Sequence, residues 1–177
     1  LETVTFVDGF GRAVQVKKDG VVTSASKGNS AKDENVMIVS GRNVYDAFGR
    51  VAKAFYPTTE GTGSKSTFSK SFDNVSPTVT VYDVLDRATS VTFPDNSTTT
   101  TAYTVDNGSH ALVTTVTDAL HNVQAAHTNG NGKTVKTIQK SGPDGEITTS
   151  FEYDSIQRLV RVTGHGGQCN DLYLRHG

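Results

Sequence analysis

The sequence of 177 residues is poor in the residues that mark several common classes of protein. It has no Trp, one Met and one Cys, and hydrophobic residues make up 34% of the chain. A single cysteine, Cys169, excludes an internal disulfide framework and any zinc site built from several thiolates. No run approaches the roughly 18 apolar residues that a membrane-spanning helix needs, so we expect no membrane span.

Neither sign of charge is in excess. The chain carries 17 Lys and Arg against 18 Asp and Glu, a formal net charge of −1. Proteins that bind nucleic acid by neutralising phosphates show a basic surplus or stripe, so we expect no nucleic-acid partner. The only Met is Met37, and no charged-then-apolar signal region opens the sequence. We therefore expect the chain to be a piece of a longer polypeptide.

What the sequence has in quantity favours β structure. It contains 25 Thr and 22 Val against 7 Leu and 4 Ile, and β-branched side chains fit pleated strands better than helices. Segments such as 78–82 alternate polar and apolar residues, which is typical of strands with one buried face. Dipeptides of tight hairpin turns recur. They are Asp8-Gly9, Asp19-Gly20, Asn107-Gly108, Asn129-Gly130, Asn131-Gly132 and Asp144-Gly145. The sequence predicts an all-β protein of antiparallel hairpins that form a curved sheet.

The strongest feature is an internal repeat with a period of about 36 to 37 residues. Each copy has an Asp, a large apolar residue two positions later, then a residue that accepts or partly tolerates a left-handed backbone, and finally Arg in four of the five copies. We expect the Asp to close an Asx-type turn, the apolar residue to plug a hydrophobic layer, and the Arg to pair with an Asp. The repeat residues are Asp8, Phe10, Gly11, Arg12; Tyr45, Asp46, Phe48, Gly49, Arg50; Tyr82, Asp83, Leu85, Arg87; Asp118, Leu120; Tyr153, Asp154, Ile156 and Arg158.

The rest of each period predicts further turns and strands. A residue typical of turns or strand ends stands eleven positions after each Asp. These residues are Asp19, Pro57, Pro94, Asn129 and His165. Segments such as 98–117 have room for two more strands, so we expect two hairpins per period. We divide the chain into a repeat region, residues 1–165, and an irregular tail, residues 166–177.

The pattern Tyr-Asp-x-x-Gly-Arg, most complete in Val44 to Val51, resembles the YD repeats of the RHS (rearrangement hotspot) family. The run Phe6 to Lys18 is also similar to the RHS-like part of insecticidal toxin complex B components and related plasmid virulence proteins. The resemblance covers roughly residues 4 to 165. It implies a sheet strip that forms part of a hollow β-shell in a secreted or surface protein, with flanking repeats and an enclosed C-terminal polypeptide as partners. The family's self-cleaving Asp-Pro-Gly-rich segment has no counterpart here.

We expect no enzyme activity, cofactor or metal. A glycosidase carboxylate pair occurs once, whereas these aspartates recur in every period. The five histidines show no metal-ligand spacing, and Cys169 has no recognisable base beside it. The chemistry of the repeat is therefore predicted to be packing.

An alternative function is an extracellular carbohydrate- or protein-binding module. Tyrosines on the solvent face of the sheet would then serve as stacking platforms. They are Tyr45, Tyr56, Tyr82, Tyr103 and Tyr153. Exposure of their rings discriminates between this function and an architectural one. In either case a slice of sheet has unpaired edge strands, and we expect edge-mediated self-association.

Overall fold

The computed structural model describes residues 2–24, 31–70, 75–140, 145–164 and 169–171, and more than half of these residues lie in antiparallel strands. The single helical element among them is a short 3-10 turn, Thr62–Ser64. The strands are β1 (Thr3–Val7), β2 (Ala13–Ser24), β3 (Lys32–Ser40), β4 (Asn43–Tyr45), β5 (Val51–Ala54), β6 (Thr58–Gly61), β7 (Thr78–Tyr82), β8 (Ala88–Thr92), β9 (Thr98–Val105), β10 (Leu112–Thr117), β11 (Val123–Thr128), β12 (Thr134–Lys140), β13 (Glu146–Tyr153), β14 (Leu159–Thr163) and β15 (Cys169–Asp171). The all-β prediction is confirmed.

The chain divides into two compact units. The first contains Leu1–Val81 and Val91–Ser97, and the second contains Tyr82–Ser90 and Thr98–Gly177. In the first unit, one sheet has the order β1-β2-β3-β6, and β4, β5 and β7 pair in a second sheet. In the second unit, β9 to β15 pair in sequence order, each strand antiparallel to the next. Sequential hairpins are therefore the building principle of the second unit.

Each complete period contains three strands, so the expectation of two hairpins per period was wrong. Between the turns at Asp83 and Asp118 lie β8, β9 and β10, and between those at Asp118 and Asp154 lie β11, β12 and β13. The strand that enters each Asp turn is also the last strand of the preceding period, and the four-strand expectation counted it twice. Because three is odd, the Asp118 and Asp154 turns of the second unit fall at opposite ends of its strands.

The predicted turn at Asp19-Gly20 is absent, because both residues lie inside β2. Asp19 pairs with Met37 and Gly20 with Val36 in the long ladder between β2 and β3. A Cβ at position 20 would lie 2.5 Å from Cδ1 of Ile38, so the glycine gives space to that side chain. This Asp-Gly dipeptide therefore serves packing rather than chain reversal.

The core of the first unit combines apolar and polar side chains. Met37 and Val39 are fully buried, and so are Gln15 and Lys17. The Gln15 side chain donates to the Ser69 carbonyl at 3.1 Å and accepts from the Ser69 N–H at 2.8 Å. Lys17 Nζ donates to Glu60 Oε2 at 2.6 Å. Buried polar groups are tolerated because they have partners.

Candidate functional site: the aspartate turns

The five repeat aspartates begin five turns with the same backbone hydrogen bonds. In each turn the N–H of the Asp donates to the carbonyl of the fifth residue, and the N–H of the fourth residue donates to the Asp carbonyl. At Asp8 these distances are 2.9 and 3.0 Å, and at Asp154 they are 2.9 and 3.0 Å. The strand ladder shifts register next to the turns at Asp8, Asp46 and Asp154. This is the geometry of a three-residue hairpin loop with a bulge.

Each Asp carboxylate holds its own turn together. In the first copy, Asp8 Oδ1 accepts from the N–H of Phe10 at 2.8 Å and of Arg12 at 3.0 Å, while Oδ2 accepts from Arg12 Nε at 2.7 Å. Asp46, Asp83 and Asp154 repeat the Arg contact at 2.7 Å. In the fourth copy Asn122 Nδ2 replaces the guanidinium at 2.8 Å. Each Arg therefore pairs with the Asp of its own copy.

The fourth residue of each turn has a left-handed backbone. The φ angle is 78° at Gly11 and 84° at Gly49, and it stays between 62° and 65° in the copies that lack glycine. Those copies have Asp86, His121 and Gln157 at this position. The positive φ thus falls on the fourth residue of the turn rather than on an Asp-Gly dipeptide such as Asp8-Gly9.

The large apolar residue in the third position lies in solvent, so its assignment to the core was wrong. We call these five side chains the tip residues. Their exposed fractions are 86% for Phe10, 82% for Phe48, 66% for Leu85, 81% for Leu120 and 66% for Ile156. The reason is geometric: the third residue stands at the apex of the loop, where its N–H points inward to the Asp carboxylate and its side chain points away from the strands.

Two further turns share the backbone geometry of the Asp turns, although the repeat alignment does not include them. Asn129 N–H donates to the Lys133 carbonyl at 2.9 Å, and Gly132 N–H donates to the Asn129 carbonyl at 2.9 Å. The φ angle of Gly132 is 75°. Phe93 and Ser97 are joined in the same way at 2.9 Å. The pattern Asn-x-x-Gly-Lys at residues 129–133 was the available signal. It follows Asp-x-x-Gly-Arg, with the neutral Asn in place of Asp and Lys in place of Arg.

Tyrosines connect these turns to neighbouring strands, a role that the repeat pattern does not predict. The Tyr45 hydroxyl donates to the Ala13 carbonyl at 2.8 Å, while the guanidinium of Arg12 lies 4.3 Å from the Tyr45 ring centroid. In the second unit, Tyr153 donates to the Thr134 carbonyl at 2.9 Å, with Nζ of Lys133 6.0 Å from its ring centroid. In both cases the cation is the side chain of the last residue of a turn, and the accepting carbonyl belongs to the next residue along the chain.

A third tyrosine adopts the same arrangement. Arg87 lies 3.9 Å from the Tyr103 ring centroid, and the Tyr103 hydroxyl approaches the Ala88 carbonyl at 3.5 Å. We call the three tyrosine–cation pairs staples. They use the ring and the hydroxyl of Tyr45, Tyr103 and Tyr153 inside the protein, which weakens the binding alternative for these residues. Tyr82 is half-buried at the end of β7, and Tyr56 is 45% exposed.

The turn electrostatics keep the aspartates ionised. The side chain of Arg12, with backbone N–H groups of the turn, holds the pKa of Asp8 below its ordinary value, although partial burial opposes the shift. The Asn122 amide is the largest contribution to the lowered pKa of Asp118. For Asp46 and Asp83, burial is the largest single influence and raises the pKa, but the combined turn hydrogen bonds outweigh it. Carboxylates held in this way serve as hydrogen-bond acceptors rather than proton donors.

The remaining candidate groups do not converge. His110 and His121 occupy left-handed turn positions, and Nδ1 of His127 lies 3.7 Å from Asp106 Oδ2. Over the described ranges, no three His, Cys, Asp or Glu residues are close enough to hold a metal ion. His165 and His176 lie outside the described residues, and so does most of the predicted tail. No described helix has the length and hydrophobicity to cross a membrane.

Comparison with known proteins gives a likeness of fold. No protein-family model matches the chain, and no curated protein is similar to it in sequence. Crystal structures of TcdB2-TccC3 match it with a TM-score of 0.63 at 18% identity, covering 92% of this chain and 9% of theirs. The structure of TcdB2-TccC3-Cdc42 matches equally well at 17% identity. The chain is therefore similar to a small part of these proteins in its all-β hairpin architecture.

Proposed function

We propose that this chain is an architectural segment of the β-sheet shell of a larger, secreted or surface-exposed RHS-type protein. One observation carries the proposal: all five Asp turns are closed by the same internal hydrogen bonds, so the recurring charged residues are used to build hairpins. The fold likeness to TcdB2-TccC3 and the YD-like sequence pattern support the same function. An enzyme would instead need ionisable groups that meet in one place with displaced pKa values.

In this function the partners are flanking repeats of the same polypeptide and a C-terminal polypeptide inside the shell. One of the matched structures is TcdB2-TccC3 without its hypervariable C-terminal region, which fits a shell that carries a variable terminal segment. The test is electron microscopy of the full-length gene product that contains this sequence. A hollow particle walled by β-sheet is expected. A solid particle, or a β module on a flexible linker, would contradict the proposal.

The alternative of a glycan-binding module rests on Tyr56, a residue that is 45% exposed and takes part in none of the three staples. Aromatic rings that bind sugars by stacking must present a free face. A glycan array probed with the 177-residue chain tests this function, with Tyr56→Ala as the variant and Tyr103→Ala as its comparison. Binding that Tyr56→Ala abolishes would favour the module. Absence of binding favours the architectural function.

A further inference from the structure

The Asn-Gly dipeptides of the sequence are turn signals that also have a chemistry of their own. They are Asn107-Gly108, Asn129-Gly130 and Asn131-Gly132, and all of them lie in hairpin turns that the structure describes. Asparagine is a thermolabile residue, because the backbone nitrogen of the next residue can attack its side-chain carbonyl carbon. A following glycine favours this attack, since it has no Cβ to hinder the approach. The hydrogen bonds of each turn determine whether the attack is helped or prevented.

The turn between β9 and β10 exposes one of these asparagines. Asp106 N–H donates to the Ala111 carbonyl at 2.9 Å, so this turn is one residue longer than the Asp turns of the repeat. Asn107 and Gly108 are exposed within it. In the described part of the chain, no residue forms a hydrogen bond with the Asn107 side chain. The carbonyl carbon of this side chain is therefore accessible to attack.

The same turn places a base on the attacking nitrogen. Gly108 N–H donates to Asp106 Oδ1 at 2.9 Å, and the Ser109 hydroxyl donates to Asp106 Oδ2 at 2.8 Å. These hydrogen bonds hold the pKa of Asp106 below its ordinary value, although partial burial opposes the shift, so the carboxylate is ionised at neutral pH. An ionised carboxylate within hydrogen-bond distance of an N–H group can take its proton as a general base.

The other two Asn-Gly dipeptides share one turn, and their hydrogen bonds oppose the reaction. Asn129 Oδ1 accepts from the N–H of Asn131 and of Lys133, each at 3.0 Å, so this carboxamide is fixed as the acceptor that closes the turn. The nitrogen that would attack Asn131 belongs to Gly132, whose N–H donates to the Asn129 carbonyl at 2.9 Å. A peptide carbonyl cannot take a proton at neutral pH. This turn therefore provides an internal comparison for Asn107.

We propose that Asn107 is a site of spontaneous covalent modification, at which the Asp106 carboxylate assists the Gly108 nitrogen in attacking the Asn107 carbonyl carbon. The bond from the Gly108 nitrogen to Cγ of Asn107 forms, and the bond from Cγ to Nδ2 breaks. The proton that Asp106 takes from Gly108 leaves on the departing ammonia. Water then opens the cyclic imide at either carbonyl group, which gives aspartate or isoaspartate. Either product adds a negative charge to this turn, and isoaspartate also lengthens the backbone by a methylene group.

Peptide mapping by mass spectrometry follows all these sites in one sample of the 177-residue chain incubated at neutral pH. In the folded chain, Asn107 should convert roughly tenfold faster than Asn129 and Asn131. In denaturant the turn hydrogen bonds are lost, and the sites should convert at similar rates because they share the same dipeptide. Equal rates in the folded chain, or the same preference for Asn107 in denaturant, would overturn the proposal.

The variant Asp106→Asn separates the base from the turn. An asparagine side chain keeps an oxygen that accepts the Gly108 N–H but cannot take a proton at neutral pH. Conversion at Asn107 should fall about tenfold, less than the roughly hundredfold or more that a positioned base supplies in enzymes, because the low pKa of Asp106 makes it a weak base. Conversion at Asn129 and Asn131 should not change. A variant that keeps its β circular dichroism and converts Asn107 at the unmodified rate would refute the role of Asp106, and the comparison with denaturant needs no variant.

Discussion

Removing one carboxylate from the core of the first unit should lower the free energy of unfolding more than removing one from the surface of the second unit. Lys17 Nζ lies 2.6 Å from Glu60 Oε2 with the lysine side chain 1% exposed and the glutamate side chain 25% exposed. Lys140 Nζ and Glu146 Oε2 are 2.8 Å apart, but these side chains are 54% and 42% exposed. Glu60→Gln and Glu146→Gln are therefore matched in chemistry and distance and differ in burial.

The hydrogen bond from Lys17, followed by one from Ser69, lowers the pKa of Glu60 from 4.5 to about 2 although burial opposes the shift. At roughly 1.4 kcal/mol per pKa unit, this corresponds to about 3 kcal/mol of stability. Glu60→Gln also leaves the Lys17 ammonium buried without its counter-charge, a change that costs about 3 to 5 kcal/mol in buried pairs. Glu146→Gln should cost less than about 1 kcal/mol.

Native-state hydrogen exchange measures both effects locally. Glu60→Gln should lower the protection of the β2–β3 amides, and Glu146→Gln should leave the β12–β13 amides nearly unchanged. The pH dependence has a definite sign. Because the folded pKa of Glu60 is depressed, its contribution is present above pH 4.5 and is lost as the pH falls from 4.5 towards 2, and this loss should vanish in Glu60→Gln. Equal costs for the two variants, or an unchanged acid profile, would refute the reasoning.

Five single substitutions test the turns and staples by thermal unfolding. Gln157→Gly should stabilise the chain by up to about 1 kcal/mol, because φ at this position is 65° and the buried Oε1 of Gln157 has no hydrogen-bond partner. The control variant Ser155→Gly, in the same turn, should not stabilise the chain. Tyr153→Phe should lower the stability by about 1 kcal/mol and Tyr103→Phe by less, because the hydrogen bonds that the two hydroxyls donate measure 2.9 and 3.5 Å. The reverse order would contradict the staple geometry. Asn122→Arg should add less than about 1 kcal/mol by restoring the Arg of the other four copies, and a loss of stability would show that the fourth turn cannot accept it.

The parts of the candidate site that could be predicted involve residues within one turn. Asp8 contacts Phe10 and Arg12, two and four positions later, so the spacing along the chain already determines which groups can meet. The left-handed residue at position 11 belongs to the same short loop. The staples could not be predicted in this way. Tyr45 reaches Ala13 across 32 positions, and only the tertiary fold brings β4 and β2, which belong to different sheets, together.

Sequence alone determined the all-β class, the repeat and the Asp–Arg turns, because β-branched composition and hydrogen bonds between near neighbours act locally. Tertiary structure decided the rest. It placed Asp19 and Gly20 inside a ladder, since pairing with β3 outweighed their turn propensity. It buried Lys17 against Glu60, a partner 43 positions away. The exposure of the tip residues follows instead from the local geometry of each hairpin, in which the third residue stands at the loop apex whatever its hydrophobicity.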